Sequence, residues 1–331
     1  MQEAAPARVV ALFVPKIECS VTRLQMLVLA AAWGCAACHD RSGADASRSP
    51  VVDETAANAA VVEWRAQHEA DYRRDWVSIA GLHPLKAGAN SAGSAPANDI
   101  VLPTGAPSSI GRFVLDDQRV VFEPDPGGVV LRDSIPVTAP LDMRDDSERD
   151  APELTVGDLR LVVHVSGDTR TLRVRDPNGP LARAFAGFAW FPIDARYRVT
   201  GHFTRDPQPQ RLKVLNTYGD ADQYNSEGVI EFELNGQRVT LRPFTTRPGR
   251  FYIVFRDASS GAETYETARF LYADLRDDGT TVLDFNEAYN PPCAFNPYTT
   301  CPIPVRENRL PVKILAGEKA YAGTTTSRHR P

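Results

Sequence analysis

The chain has 331 residues, of which 43% are hydrophobic and 24% are charged, and its formal net charge is −5. This balance is typical of a globular protein and excludes a collagen-like or largely disordered chain. A nucleic-acid-binding protein usually carries a basic stripe, and none is visible, so we expect no nucleic-acid partner. The six histidines are scattered along the chain, and we predict neither a metal site nor another cofactor.

Residues 1–38 are predicted to be an export leader. Arg23 precedes a short apolar run over 27–33, and small residues follow, which is the layout of a secretory signal. The run is too short to span a bilayer. Residues 1–25 are interpreted as an over-extended start of the chain.

A cysteine that follows small residues resembles a bacterial lipobox, so we predict lipidation at Cys38 or at Cys35. The alternative, an internal apolar helix, is disfavoured because the Ser-, Asp- and Ala-rich residues 39–58 are typical of a flexible tether. The protein is then expected in the periplasm or on the membrane as a lipoprotein, and the lipid anchor is its only expected membrane contact.

Cys293 and Cys301 are the two cysteines that follow the predicted leader, and they lie in a proline-rich loop. Two cysteines so placed in an oxidising compartment predict a disulfide. A free reactive thiol and two buried thiols are the alternatives.

One amphipathic helix is predicted over residues 55–74, with Thr55 as its cap. The helix places Val61, Trp64, His68 and Tyr72 at helical spacing, and its other face is charged.

The rest of the chain predicts a mainly β fold, an antiparallel sandwich or a barrel-like sheet. Short alternating runs are separated by turn residues throughout. The clearest hairpin joins Val229–Leu234 to the next strand through Asn235-Gly236, which tolerates positive φ. A short helix is expected at Asn178–Phe188, and a last strand at Leu310–Ala316.

The predicted domain organisation follows from these elements and from a proline- and charge-rich segment near residue 145. The helix and a small β module occupy residues 59–145. A larger antiparallel β domain occupies residues 146–322, and residues 323–331 form a disordered tail.

The densest polar chemistry lies over residues 257–321, in the motifs G-A-E-T-Y, R-F-L, D-F-N-E-A-Y-N-P-P-C-A-F, E-N-R-L and A-G-E-K. With R-D-P at 175–177 and F-A-G-F-A-W-F-P-I-D at 185–194, these motifs resemble the bacterial and archaeal proteins grouped as domain of unknown function 1684 (DUF1684). The resemblance covers roughly residues 60–321. The family has no established activity, so the resemblance implies a shared fold and export but no mechanism.

Residues of these motifs form the candidate site. Arg269 is expected on a strand beside Asp284, where it would bind an anionic group bidentately. Asp284 or Glu263 would act as acid or base. The remaining candidate ligand-binding residues are Asn286, Tyr289 and Asn290. The alternative is structural, with an ion pair of Arg269 and Asp284 and Asx-type turn bonds made by the neighbouring side chains.

Residues 85–102 are similar to the opening of forkhead-associated (FHA) domains, which bind phosphothreonine. Ser94 stands where those domains have the phosphate-binding arginine, and no histidine follows Ser108-Ser109. The similarity therefore favours a small β sandwich and argues against phosphopeptide binding.

Two classes of function remain open from the sequence. The first is a binding module for a small ligand or an envelope component, with a polar cleft near the D-F-N-x-A-Y-N-P-P-C segment. The second is a hydrolase that uses carboxylate acid/base chemistry in the same cleft.

Overall fold

The computed structural model describes residues 53–323 except residues 128, 149 and 167. The predicted leader, most of the tether and the tail beyond residue 323 therefore lie outside the described residues. The described chain is mainly β, as predicted, with several antiparallel sheets and one long helix near the amino end. The sheets are open at their edges, which favours the sandwich over the barrel.

Helix α1 spans Glu54–Tyr72 and begins at Asp53, whose side chain accepts from the backbone N of Thr55 and Ala56. The predicted cap, Thr55, instead lies in the first turn, because the Asp53 carboxylate already satisfies free N–H groups there. A π-helical turn at Arg73–Val77 continues α1. The second helix, α2, spans only Pro180–Ala184. The 3₁₀ turns are Ala195–Tyr197, Phe285–Glu287, Pro292–Ala294 and Arg306–Asn308.

The amino-terminal module is a sandwich of a six-stranded and a five-stranded sheet. The six-stranded sheet has the order β1-β11-β10-β9-β6-β7, and the five-stranded sheet has the order β3-β2-β4-β5-β8. Their facing side chains, including Phe113, Phe122, Leu161 and Val174, form one buried core. The strands are β1 (Ile79–Pro84), β2 (Gly88–Gly93), β3 (Ile100–Val101), β4 (Gly111–Asp116), β5 (Arg119–Pro124), β6 (Leu131–Arg132), β7 (Ile135–Pro136), β8 (Leu141–Asp142), β9 (Leu154–Val156), β10 (Leu159–Ser166) and β11 (Thr169–Arg175).

The boundary of this module differs from the predicted one. Strand β11 pairs with β10 on one side and with β1 on the other, so the hairpin of β10 and β11 closes the first sandwich. The module therefore extends to Arg175, beyond the predicted boundary near residue 145. The sequence could not show this, because hairpin signals are local and do not indicate which sheet a hairpin joins.

The carboxyl-terminal domain is a second sandwich. One sheet has the order β14-β13-β12-β18 and the other has the order β15-β16-β17. Ile230 and Phe232 of the first sheet pack against Ile253, Phe255 and Leu271 of the second. The strands are β12 (Arg198–Leu215), β13 (Ala221–Leu234), β14 (Gln237–Leu241), β15 (Phe244–Arg247), β16 (Arg250–Phe255), β17 (Arg269–Asp274) and β18 (Thr280–Asp284).

The outer face of the three-stranded sheet is covered by α1 and by the loop over 285–301. Tyr252 and Phe270 of the sheet contribute to the same buried cluster as Tyr72 and Val77 of the helical segment. Because both faces of this sheet are buried, β16 is a continuous apolar run.

The segment at Leu310–Ala316 is extended but is not a strand. Its side chains alternate between buried and exposed, as predicted. Its first residues pair with the backbone of 256–258, since Leu310 N donates to the Arg256 carbonyl and Ala258 N donates to the Val312 carbonyl. Farther along, Ile314 N donates to Asp257 and the Ile314 carbonyl accepts from Arg269, so polar side chains replace a neighbouring strand there.

Candidate functional site

Arg269 is fully buried at the start of β17 and forms an ion pair with Asp257, with Nη1 2.9 Å from Oδ2. The same guanidinium donates to the backbone carbonyls of Ile314 and Ala316. Burial lowers the pKa of Arg269, and the Asp257 carboxylate opposes this. The geometry therefore supports the structural alternative for Arg269. Its partner is Asp257, whereas the sequence predicted Asp284.

Asp284 lies at the end of β18 and pairs with Arg198, the first residue of β12, with Nε 2.6 Å from Oδ2. Its other oxygen accepts from the backbone N and the side-chain amide of Asn286. Asn286 is buried, and it also bonds in both directions to the backbone of Asp194. These are the predicted Asx-type turn bonds, and they leave Asn286 no open face toward a ligand.

Asn290 is buried and donates to Glu318, from its backbone N to Oε2 and from its amide to Oε1, both at 2.8 Å. Burial raises the pKa of Glu318 to about 8, although the two hydrogen bonds from Asn290 act in the opposite direction. Gly317 precedes Glu318 with φ +77°, and a Cβ there would lie 2.2 Å from the Ala288 carbonyl. The A-G-E-K motif thus places a buried acid against Asn290.

Tyr289 is also buried, and its ring packs edge-on against Phe270 at 5.7 Å. Burial raises the pKa of Tyr289 well above its ordinary value. Glu263 lies on a partly exposed loop, where its carboxylate pairs with Lys313. The two predicted catalytic carboxylates are thus held by different cations, Asp284 by Arg198 and Glu263 by Lys313. The structure does not bring the predicted site residues into one open cleft.

Cys293 and Cys301 are free and buried. They are neighbours, since the backbone N of Cys293 donates to Sγ of Cys301 at 3.3 Å. Burial raises the pKa of the Cys301 thiol well above its ordinary value. The buried-thiol alternative therefore describes this structure.

A cavity of about 260 Å³ lies beside the end of the D-F-N-E-A-Y-N-P-P-C-A-F segment. Three rings meet at its wall: Phe185 is stacked on Tyr321 at 5.7 Å, and Phe295 lies 5.7 and 5.8 Å from them. The wall contains no charged side chain. The lining residues are Val77, Leu181, Ala184, Phe185, Phe295, Asn296, Tyr321, Ala322 and Gly323.

Several elements hold this cavity in shape. The Asn296 amide is buried and donates to the carbonyls of Trp76 and Ile79, both at 2.8 Å, which ties the loop to the amino-terminal module. The Arg73 guanidinium lies 4.6 Å from the centre of the Phe185 ring. Of these residues, the motifs contained Phe185 and Phe295 as apolar positions. Phe185 and Phe295 face a cavity because α2 and the π-helical turn pack beside them. The motifs do not show this packing.

A second cavity of about 290 Å³ lies in the amino-terminal module at the turn between β4 and β5. Its wall carries charged side chains that pair with each other, such as Arg119 with Asp142 at 2.6 Å. Both of these side chains are at least half exposed, and the pair is typical of a solvated surface.

Within residues 53–323, no group of three or more His, Cys, Asp or Glu side chains is placed to hold a metal ion. No helix in the described part of the chain is long and apolar enough to cross a membrane.

Comparison with solved structures identifies similar chains. The solution structure of an uncharacterized protein from Haloarcula marismortui is 30% identical, over 44% of this chain and 82% of that chain, with a TM-score of 0.37. Two FHA domain structures are similar over 28% of this chain. One, from a study of phosphothreonine-dependent FHA domain interactions, is 17% identical over 92% of its length; the other, the FhaA FHA domain, is 16% identical over 97%. Both have a TM-score of 0.20.

Comparison with curated proteins gives no match. Residues 183–319 match the family described as "Protein of unknown function (DUF1684)". This range contains the second sandwich and most of the motifs on which the resemblance depended. The chain therefore belongs to the DUF1684 family.

Proposed function

We propose that the protein binds a small, uncharged, ring-bearing molecule in the cavity lined by Phe185, Phe295 and Tyr321. The cavity of about 260 Å³ is the observation that carries the proposal. Small-molecule sites are concave and mainly apolar, with a few polar groups that orient the ligand. Binding is preferred to hydrolysis because Asp284 and Glu263, the proposed catalytic carboxylates, pair with different cations.

The chemistry of the wall suggests the class of ligand. A charged ligand would lose its hydration without gaining a counter-ion, because the lining contains no charged side chain. Aromatic walls favour a flat ring through stacked or edge-on contacts. The lining residues with polar side-chain groups are Asn296 and Tyr321. The Asn296 side chain already bonds to the backbone of Trp76, Ile79 and Tyr298, so the Tyr321 hydroxyl is the group we expect to fix the orientation of a ligand.

Filling the cavity tests this proposal. We expect indole, used as the probe, to shift the NMR signals of residues around the cavity and to bind the natural protein. Ala184→Leu should weaken indole binding at least about tenfold, because the added side chain occupies the cavity. The matched control is Ala66→Leu, which makes the same change at an exposed position of α1. Absence of indole binding, or equal binding by both variants, would contradict the proposal.

We further propose that the protein is exported and, through Cys38 or Cys35, lipid-anchored. The charged residue, short apolar run and small residues of the first 38 positions support this. In an oxidising compartment Cys293 and Cys301 would form a disulfide. The two electrons and two protons that the thiols lose would pass to an oxidant such as oxidised glutathione, which is reduced to two glutathione thiols. The contact of the Cys293 backbone N with the Cys301 sulfur supports their pairing.

Mass spectrometry of the protein purified from its native host tests export and pairing together. We expect the first residues to be missing, a lipid mass on the new terminal cysteine, and no alkylation of Cys293 or Cys301 before reduction. An intact Met1 would disprove export, and alkylation of both thiols without reduction would disprove the disulfide.

A further inference from the structure

The second cavity, of about 290 Å³, lies at one end of the amino-terminal sandwich. The turn between β4 and β5, the loop after β8 and the start of β11 meet there. Its apolar wall is the end of the sandwich core and consists of Val120, Met143 and Val163. The cavity therefore borders the space between the two sheets, and its lining is distinct from that of the aromatic cavity.

Arg170 and Asp145 continue two rows of inward-facing side chains into this cavity. Side chains on β11 point to opposite faces in turn, so Arg170 shares the inner face with Leu172, which belongs to the core. In the loop after β8, Met143 of the core and Asp145 are buried, and Arg144 between them is exposed. An arginine and an aspartate thus stand where apolar residues would extend the core.

Both charged residues are buried, since 5% of Arg170 and 7% of Asp145 is exposed, and both line the cavity. Arg170 Nη1 donates to Oε1 of Gln118, which is another lining residue. Oδ1 of Asp145 accepts from the backbone N and from the hydroxyl of Ser147. Among the described residues, Arg170 forms an ion pair with no carboxylate and Asp145 forms one with no cation. Two opposite charges thus line one cavity without bonding to each other.

Each of the two charged groups keeps atoms free for a ligand. Nε and Nη2 of Arg170 and Oδ2 of Asp145 have no hydrogen-bond partner among the described residues. None of the three is among the sealed side-chain atoms that lack a partner, so water in the cavity reaches them. A buried charge without a counter-charge is costly. A ligand that carries both charges would neutralise both residues at once.

The charges around the cavity decide the class of ligand. The lining contains five carboxylates and three guanidiniums, so a simple anion would meet an excess of negative charge. Two of the guanidiniums already pair with carboxylates of the same wall, at 2.6 and 3.8 Å. Arg170 is the guanidinium left for a carboxylate of the ligand, and Asp145 is the buried carboxylate left for a cationic group.

We propose that this cavity is a second binding site, which takes a small zwitterion with an ammonium and a carboxylate, as an amino acid has. Arg170 donates from Nε and Nη2 to the carboxylate of the ligand, in the bidentate geometry that a guanidinium favours. Asp145 Oδ2 accepts from the ammonium. The cavity lies near the lower limit of small-molecule sites, roughly 300 Å³, so the ligand is small. The site is independent of the aromatic cavity, so either proposal can fail without the other.

Calorimetric titration of the natural protein with glycine, β-alanine and γ-aminobutyrate tests this site, because the three probes differ only in the separation of their charges. Butyrate and butylamine are the controls, since each keeps one charged end of γ-aminobutyrate. We expect at least one of the three amino acids to bind at least about tenfold more tightly than either control. Absence of binding by all three, or equally tight binding of a control, would overturn the proposal.

Substitutions at the two buried charges test their roles. Arg170→Met and Asp145→Asn should each weaken binding of the amino acid at least about tenfold, because each removes one of the two charge-assisted contacts. The matched controls are Arg119→Met and Asp142→Asn, which make the same changes in an exposed ion pair of the same wall. These controls should change binding by less than about threefold.

Urea denaturation separates a ligand-binding role of Arg170 from a structural one. Arg170→Met removes a buried charge that has no counter-charge and extends the apolar row of Leu172. Its unfolding midpoint should therefore equal or exceed that of the natural protein. A marked fall in this midpoint would make Arg170 a structural residue and overturn the proposal. Equal binding by the Arg170→Met and Arg119→Met variants, each shown to be folded by circular dichroism, would do the same.

Discussion

Asp257→Ala should lower the free energy of unfolding by about 3–5 kcal/mol, because it leaves the Arg269 guanidinium buried without a counter-charge. Both side chains of this ion pair are 0% exposed. Asp257 also accepts from the backbone N of Ser259 and of Ile314, so its loss frees two more buried donors. Urea denaturation followed by circular dichroism measures the change.

The control for this experiment is Asp142→Ala, which removes the same carboxylate from an exposed ion pair. Asp142 is 50% exposed and its partner Arg119 is 69% exposed. Exposed pairs contribute about 1 kcal/mol or less to stability. Equal destabilisation by the two variants would show that burial of the Asp257–Arg269 pair does not matter.

The contribution of Glu318 to the free energy of unfolding should fall by about 4–5 kcal/mol as the pH rises from about 4.5 to about 8, because Glu318 ionises at higher pH in the folded state than in the unfolded state. In the unfolded chain Glu318 loses its proton near the ordinary value of 4.5, and in the folded protein near 8. Between these values the folded state binds more protons than the unfolded state, so each rise in pH favours unfolding. Below about pH 4.5 both states are protonated, and this contribution is constant.

Glu318→Gln should remove most of this pH dependence, because glutamine does not ionise. The variant loses one acceptor for Asn290, so its stability at low pH should be lower than that of the natural protein. Urea denaturation at several pH values measures the slope, and Glu266→Gln, at an exposed position, is the control. Glu287, with its own raised pKa, adds a slope of the same sign, whereas His68, whose pKa burial lowers to about 3, adds a slope of the opposite sign below about pH 6.5, so the comparison rests on the difference between the variant and the natural protein. An unchanged slope in the Glu318→Gln variant would disprove the assignment.

The local pattern of the chain was sufficient to predict hairpins. The hairpin at Asn235-Gly236 forms as expected, with both residues at positive φ and Leu234 paired with Gln237. Other predictions from the same patterns were wrong in their limits. The alternation over residues 197–217 predicts two strands, at 197–204 and 210–217. The structure has the single strand β12 (Arg198–Leu215), with an irregular register between Arg205 and Gln210. Pro207 and Pro209 lie where the pairing of β12 with β13 is interrupted, and the pairing resumes at Gln210, so one strand replaces both predicted ones.

The candidate site was less predictable. The sequence marked Arg269, Asn286 and Asn290 as candidate ligand-binding residues, with structural bonds as the alternative, and the structure buries all three side chains among internal hydrogen bonds. The sequence did not indicate their partners: Asp257 for Arg269 and Glu318 for Asn290. Glu318 stands 28 residues after Asn290 in the chain, and no local pattern joins the two positions.

Alternation of apolar and polar residues determined by itself that this chain forms stacked antiparallel sheets, because side chains on a strand point to opposite faces in turn. The turn residues determined where many hairpins lie. Only the tertiary structure decided which partners each polar side chain bonds to. Those partners depend on which groups lie within about 3 Å of the side chain and on whether water reaches it. The candidate residues Arg269, Asn286 and Asn290 are buried, and their polar groups bond to other groups of the protein. The aromatic cavity forms where α2 and the π-helical turn pack against the loop over 292–296.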